Sequence, residues 1–419
     1  MEVSWVSCRS CDGLVREIFD LGLLPPTGFV KKNSEVMSLP KFPLRLGVCD
    51  SCQLFQLADE LPIETFYTEE YGYRSSLNAS MVAHLSERAR TLLDPLKSNG
   101  NHQIKVMDIA SNDGTFLNEC SKLSNSLELV GVDPLIPYMN DGYPKNSIKY
   151  PVFFNSELQS MIPASTQFDL ITSFSVLYDV NNLPSFIGNV ARLLAPEGFW
   201  FTEQSYFMRL LEEGTFDSIC HEHLLYLKLN DVDELANQFN LKLWKIWEND
   251  VNGGSLGLLF RKTKMPQPEG TIKKLESFRN REDVNRINAL AKNYTSKVKS
   301  NIHKVLSEIN GLISEEREIY CLGASTKGNV ILHMLNLTEQ QIKAVGDVNP
   351  SKWGFRTIVG NIPIIPEFDV LSQNPKKTAL LILPWHFKDF FRNKLADYVS
   401  SGGKVLFPFP SVDVLSSEY

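Results

Sequence analysis

The chain of 419 residues has no uninterrupted apolar stretch of the roughly 18 residues that a bilayer-spanning helix requires. Its opening residues, Met1-Glu2-Val3-Ser4-Trp5, have neither the basic start nor the apolar core of a secretory signal. Internal repeats and low-complexity tracts are missing as well. Surplus positive charge is also lacking: 42 Lys and Arg stand against 49 Asp and Glu, a formal charge of −7. That balance argues against broad contacts with nucleic acid or anionic lipid. These absences leave a globular protein with no nucleic-acid and no membrane partner, expected in the cytoplasm. Such a length is too great for one core and predicts two or three domains.

Cysteine is scarce, but four of the seven residues fall in two tight pairs, Cys8-x-x-Cys11 and Cys49-x-x-Cys52. In a reducing compartment such pairs bind metal more often than they form disulfides. Two residues between the sulfurs let all four converge on one tetrahedral zinc ion, with no open coordination position, so the site reads as structural. Zinc would cross-link a segment, residues 1–65, too small to hold itself together by burial.

From Ile104 to about Phe260, short apolar runs alternate with helical stretches. Val106–Ala110, Leu129–Asp133 and Phe168–Thr172 read as buried strands of a parallel, doubly wound sheet. Residues 280–312 carry apolar residues at three- and four-residue steps (Val284, Ile287, Leu290, Tyr294, Val298, Ile302, Val305, Ile309), the pattern of one long amphipathic helix or two shorter ones. Glu318–Leu322, Ile342–Asp347 and Ala379–Leu383 are further strands of a second, smaller α/β domain. The expected division is 1–65 zinc-binding, 66–265 catalytic, 266–315 helical connector and 316–419 Rossmann-like.

Three clusters carry chemistry. Asp108, Ala110, Ser111, Asn112, Gly114 and Thr115 lie in a loop between a buried strand and a helix, where backbone amides can approach a ligand. The loop is not the three-glycine dinucleotide fingerprint, because Ala110 and Asn112 stand where glycine is usual. Asp133, about 20 residues on at the end of the next strand, can bind ribose hydroxyls. Together they favour a nucleoside-bearing cofactor, with Ser173 beyond the third strand added to the binding set. His221-Glu222-His223 supplies imidazole bases beside a carboxylate. If that stretch is extended, the two histidines share one face and Glu222 points the other way; a surface cluster and a metal site are the rival readings. Ser325-Thr326-Lys327-Gly328 offers a hydroxyl and an ammonium at a strand-to-helix junction, either a phosphate cradle or a simple turn.

The order of these motifs resembles the nucleotide-sugar C-methyltransferases of deoxysugar pathways. The resemblance runs through the paired cysteines, Tyr71-Gly72-Tyr73-Arg74-Ser75-Ser76, Ala110–Leu117, Leu193–Gly198, His221-Glu222-His223, Gly253-Gly254-Ser255-Leu256 and Gly323–Asn329. It implies an α/β protein: a small zinc module, a Rossmann-like core that uses S-adenosylmethionine, and a Rossmann-like C-terminal domain that anchors the substrate. It further implies methyl transfer to C3 of a nucleotide-linked 4-keto-6-deoxyhexose. His223 would be the base, with His221 its alternative, Glu222 its orienter, and Tyr73 or Tyr71 near the substrate. Ser325 and Lys327 would hold the nucleotide. A monomer is expected.

This chain departs from the family pattern twice. Cys220 precedes the HEH motif where better-known members have tyrosine, and Tyr178-Asp179-Val180 stands where they have histidine. Cys220 and Asp179 are therefore substrate-side candidates of open role. Methylation of a sugar hydroxyl and a non-catalytic binding protein are the competing readings.

Overall fold

The structure, a computed structural model, describes residues 6–26, 29–31, 39–69, 71–97 and 103–417; Met1–Trp5 lie outside that set. Lys105–Ile109 is the strand on which the middle of the molecule is built. Val106, Met107 and Ile109 are all buried, because helices cover both faces of the sheet. The seven strands run in the order Leu241–Asn249, Ser255–Lys262, Leu194–Ser205, Phe168–Phe174, Lys105–Ile109, Glu128–Val132 and Ile148–Tyr150. The last five of these are parallel, as the alternating pattern predicts. The first two are antiparallel, so the expected parallel sheet is a mixed one. Its cause is local: the turn Val251–Gly253 joins those two strands, and so short a link can only reverse the chain.

The C-terminal sheet has six strands, ordered Ile364–Pro366, Ile342–Asp347, Glu318–Leu322, Thr378–Ile382, Lys404–Phe407 and Asp413–Leu415. Only the last pairing is antiparallel. Val284–Ser314 is one uninterrupted helix of 31 residues, capped by the Asp283 carboxylate. Its stripe is the predicted one from Ile287 to Ile309, but Val284 is 47% exposed because it sits in the first turn, beyond the covered face. The helix supports the segment that leads to the HEH motif: Asn301 Nδ2 donates to the carbonyls of Glu213 and Gly214 at 3.0 and 3.1 Å.

Residues 8–57 do not stand alone. Val15–Leu24, Phe42–Cys49 and Phe55–Leu57 form an antiparallel sheet whose fourth strand, Leu225–Tyr226, comes from just after His223. Phe29–Lys31 pairs with Phe355–Thr357 of the C-terminal domain. A single apolar core runs from Cys8 and Phe19 through Trp200 and Phe216 to Phe409. About 60 residues bury too little surface to be stable by themselves, and here the module shares its neighbours' core. Among the described residues, no helix is long and apolar enough to cross a membrane.

Candidate active site

The four paired cysteines come together at the start of the fold. Cys8 Sγ lies 3.5 Å from Cys52 Sγ, Cys11 Sγ lies 3.5 Å from Cys49 Sγ, and all four sulfurs are within 4.8 Å of one another. Tetrahedral zinc with bonds of about 2.3 Å sets its sulfurs about 3.8 Å apart, so the cluster fits the ion. Amides of Ser10 and Ser51 point at Cys8 and Cys49 sulfurs, both at 3.4 Å, which favours thiolates. Asp12 and Gln53 take left-handed conformations, each one residue past the second cysteine of its pair.

A cavity of about 590 Å³ opens between the domains, in the size range of small-molecule sites. Tyr67 and Tyr71 line it from the N-terminal side, Asp108, Asn112, Asp133, Glu222 and His223 from the middle, and Lys327 and Asp347 from the C-terminal domain.

At the cavity's central-sheet wall, Ala110, Asn112 and Gly114 all have positive φ, at 56°, 50° and 79°. The loop therefore takes the path that glycines would give it, at a cost of roughly 1–2 kcal/mol for a non-glycine residue such as Ala110. Asp133 repays part of that by accepting hydrogen bonds from the amides of Asn112 (2.8 Å) and Leu135 (2.7 Å). Thr172 Oγ1 donates to Asp108 at 2.7 Å. Burial pushes Asp108 up to about 8 and Asp133 up to about 6, and neighbouring carboxylates push the same way. Two buried acids whose charge neighbours are acids suit a ligand that brings hydroxyls and positive charge, as S-adenosylmethionine does.

Some expected contacts are taken by the protein itself. Tyr143 Oη donates to the Asn112 carbonyl at 2.8 Å and lies 2.7 Å from Ser111 Oγ, which occupies the Ser111 hydroxyl. The Tyr143 ring packs on Gly114, the conformational hinge into the helix Thr115–Ser121. Thr115 Oγ1 donates to Asp113 at 2.6 Å. Ser173 is fully buried, receives Trp200 Nε1 at 3.0 Å and does not line the cavity; Phe174 and Ser175 do so instead. Strand alternation turns Phe174 to the face opposite Ser173, and Ser175 lies past the strand, where a φ of 51° ends the alternation. The Tyr71–Ser76 stretch hangs on the loop: Ser75 N donates to Asn112 Oδ1 (3.1 Å) and Ser76 N to Asp113 Oδ2 (3.0 Å).

The HEH motif is a turn, closed by His223 N donating to the Cys220 carbonyl at 3.0 Å, and not the extended stretch expected. The turn changes which side chains share a face. Glu222 and His223 line the cavity together, while His221 Nε2 sits 3.1 Å from the Pro43 carbonyl of the N-terminal sheet. Cys220 is buried outside the lining, with its thiol 3.7 Å from the Ser218 carbonyl. His223 Nδ1 lies 2.8 Å from that same carbonyl and donates to it, which leaves Nε2 as the acceptor. Tyr178 packs on the imidazole with ring centroids 4.3 Å apart. Burial, and then the Lys327 charge, lower His223 to about 3, so the ring is neutral. Tyr71 and Tyr73 both line the cavity, Tyr71 with its phenol pushed well up by burial and then by Glu222, Tyr73 at the more open side, 45% exposed.

In the C-terminal wall, Ser325 Oγ accepts from Gly328 N at 3.1 Å as the cap of the helix Thr326–Met334. Lys327 Nζ donates to the Asn252 carbonyl at 3.2 Å, joining the two α/β domains across the cavity. Asp347 was missed as a site residue, although it ends the second strand as Asp133 does. It accepts from Ala324 N at 2.7 Å and Asn349 N at 2.8 Å, the same pattern as in the first domain. The acid after the second strand was the signal that could have found it. Tyr67 and Lys352 also line the cavity, and no motif marks them; Tyr178, in the stretch where the family pattern is broken, lines it too.

Residues 8–67 match a family model described as "Putative zinc binding domain", residues 81–246 a "Methyltransferase domain", and residues 250–410 a "C-methyltransferase C-terminal domain". The chain is 23% identical over 384 residues to C-methyltransferase NovU of Streptomyces niveus, covering 90% of this chain and 88% of that protein. Among solved structures it is similar to N-methyltransferase NodS from Bradyrhizobium japonicum WM9 in complex with S-adenosyl-L-homocysteine. That match has 16% identity, covers 48% of this chain and 95% of that one, and has a TM-score of 0.35. The three family models follow one another in order along the four-cysteine cluster, the central sheet with its Ala110–Gly114 loop and the C-terminal wall, and the chain is an S-adenosylmethionine-dependent C-methyltransferase with an N-terminal zinc-binding domain.

Proposed function

We propose that the chain methylates a carbon beside a ketone, C3 of a nucleotide-linked 4-keto-6-deoxyhexose, through an enolate formed by His223. The observation that carries this is the state of His223. Its Nδ1 is held by the Ser218 carbonyl, its Nε2 is free to accept a proton, and it lines the cavity shared by the Asp108–Asp133 wall and the Lys327–Asp347 wall. S-adenosylmethionine, when bound, supplies an electrophilic methyl on a sulfonium.

The chain's own residues do the rest. Asp133 and Asp108 hold the cofactor's ribose and cationic groups. The Gly323–Lys327 loop, the amides at the start of the Thr326–Met334 helix and the Lys327 ammonium take the diphosphate, and Asp347 takes the nucleotide's ribose. Glu222 orients the sugar. The sugar ring then lies between His223 and the methyl donor, where positioning lowers the barrier. Every group named belongs to one chain, so a monomer suffices, and reduced zinc thiolates suit the cytoplasm.

The test is incubation with S-adenosylmethionine and a panel of UDP- and dTDP-linked 4-keto-6-deoxyglucose. Addition of one methyl, placed on ring carbon by NMR, supports the reading. A methyl ether, or no transfer to any member, overturns it.

A further inference from the structure

The wall beside His223 holds a carboxyl group that is half satisfied. Asp179 ends the turn Leu177–Asp179 after the Phe168–Phe174 strand, is 6% exposed, and lines the cavity with Glu222 and His223. Tyr67 Oη donates to its Oδ2 at 2.8 Å. Its Oδ1 is buried with no hydrogen-bond partner among the described residues. An ionised carboxylate with a buried, unpaired oxygen is expensive, by roughly 1–3 kcal/mol or more. A neutral carboxyl resolves the cost differently. Because the Tyr67 proton is on Oδ2, the acid's own proton belongs on Oδ1, where no described residue receives it and a ligand in the cavity can.

We propose that Asp179 is a further catalytic residue: a neutral carboxylic acid whose Oδ1–H donates a hydrogen bond to the ketone oxygen as that oxygen becomes an enolate. This rests on the carbon-methylation reading above. His223 takes the proton from the carbon next to the carbonyl. The C–H electron pair moves into the C–C bond, and the C=O pair moves onto oxygen, where Asp179 meets the new charge. The electron pair then returns to form the C–CH3 bond as the C–S bond breaks, and the proton leaves His223 for solvent. Asp179 keeps its proton throughout.

Burial, and then the neighbouring Glu222 carboxylate, push Asp179 well above the usual carboxylate range, while Tyr67 opposes them. Two acids facing one pocket do not both ionise readily, and a site that keeps one neutral makes a donor for an oxyanion. Such a donor is needed here, because an imidazole lowered to about 3 is a weak base. Two neighbouring side chains do not supply it: Cys220 lies outside the cavity lining, and the Tyr178 hydroxyl is hydrogen-bonded with Ser175.

The test reads enolisation without methyl transfer. Wild type, Asp179→Asn and Asp179→Val are incubated in deuterium oxide with S-adenosylhomocysteine and UDP- or dTDP-linked 4-keto-6-deoxyglucose. Exchange at the carbon beside the ketone is followed by NMR. Asn keeps a neutral donor and should retain exchange within about tenfold, whereas Val should lose about a hundredfold, the scale of one oxyanion donor. Equal exchange in Val and wild type overturns the role of Asp179 alone, and loss in Asn as deep as in Val shows an ionised group and overturns it too. Absence of exchange in wild type with both sugars overturns the carbon-methylation reading and this proposal with it. Infrared difference spectra of wild type minus Asp179→Asn at neutral pH give a second readout that needs no turnover and no Val variant. A carboxylic-acid carbonyl band supports the neutral acid, and a carboxylate band refutes it.

Discussion

Gly114→Ala places a known strain at the loop proposed to hold the cofactor. The residue has φ +79°, and a Cβ there would sit 2.6, 2.7 and 2.9 Å from three atoms of the Tyr143 ring. The conformational part costs about 1 kcal/mol for alanine. The clash adds about 1–3 kcal/mol, because the ring cannot swing away while its hydroxyl is bonded to Asn112 and Ser111. The variant should therefore lose roughly 2–4 kcal/mol in urea denaturation, the sum of those terms. Its affinity for S-adenosylhomocysteine, measured by titration calorimetry, should fall at least tenfold, about 1.4 kcal/mol. In a Tyr143→Ala background only the conformational part remains, so the same glycine change should cost about 1 kcal/mol there, a coupling of roughly 1–3 kcal/mol. Wild-type affinity in Gly114→Ala, or the same cost in both backgrounds, would refute the packing argument.

Three further outcomes follow from the same geometry. Metal analysis should find one zinc per chain, and Cys49→Ala should abolish it. Since Leu225–Tyr226 completes the N-terminal sheet, that variant should also lose turnover, with S-adenosylhomocysteine affinity changing far less; zinc-free, fully active protein would contradict this. Asp133→Ala should weaken S-adenosylhomocysteine by about tenfold or more, the scale of a hydrogen bond to a charged group, with zinc content unchanged. Lys327→Ala should raise KM for the sugar nucleotide more than it changes cofactor affinity, which steady-state kinetics and calorimetry separate.

Local patterns were legible where one strand, loop or helix decides the outcome. The strands Val106–Ala110 and Ile342–Asp347 read true because apolar runs between turns need no distant partner. The cysteine pairs did so because their spacing is itself the ligand geometry. What failed depends on distant chain. His221 and His223 have the same local signal, yet the Cys220–His223 turn sends one to Pro43 and the other into the cavity. Nothing near Leu225–Tyr226 announces that it completes a sheet begun at Val15, so the module's dependence on its neighbours was invisible. Ser173 was displaced by Trp200, a contact set by the neighbouring strand. Tyr67, more than 100 residues before Asp179, is beyond any motif.

The central claim is that His223 removes the proton from the carbon that receives the methyl group. Its most direct test is deuterium exchange at C3 of the nucleotide-linked 4-keto sugar, with S-adenosylhomocysteine bound, in wild type and His223→Asn. The account predicts exchange in wild type and a loss of roughly a hundredfold or more in the variant, the scale of a lost general base, with both ligands still bound. Equal exchange in the two proteins would remove His223 from the role, and an active wild type that shows no exchange at C3 would contradict methylation at carbon.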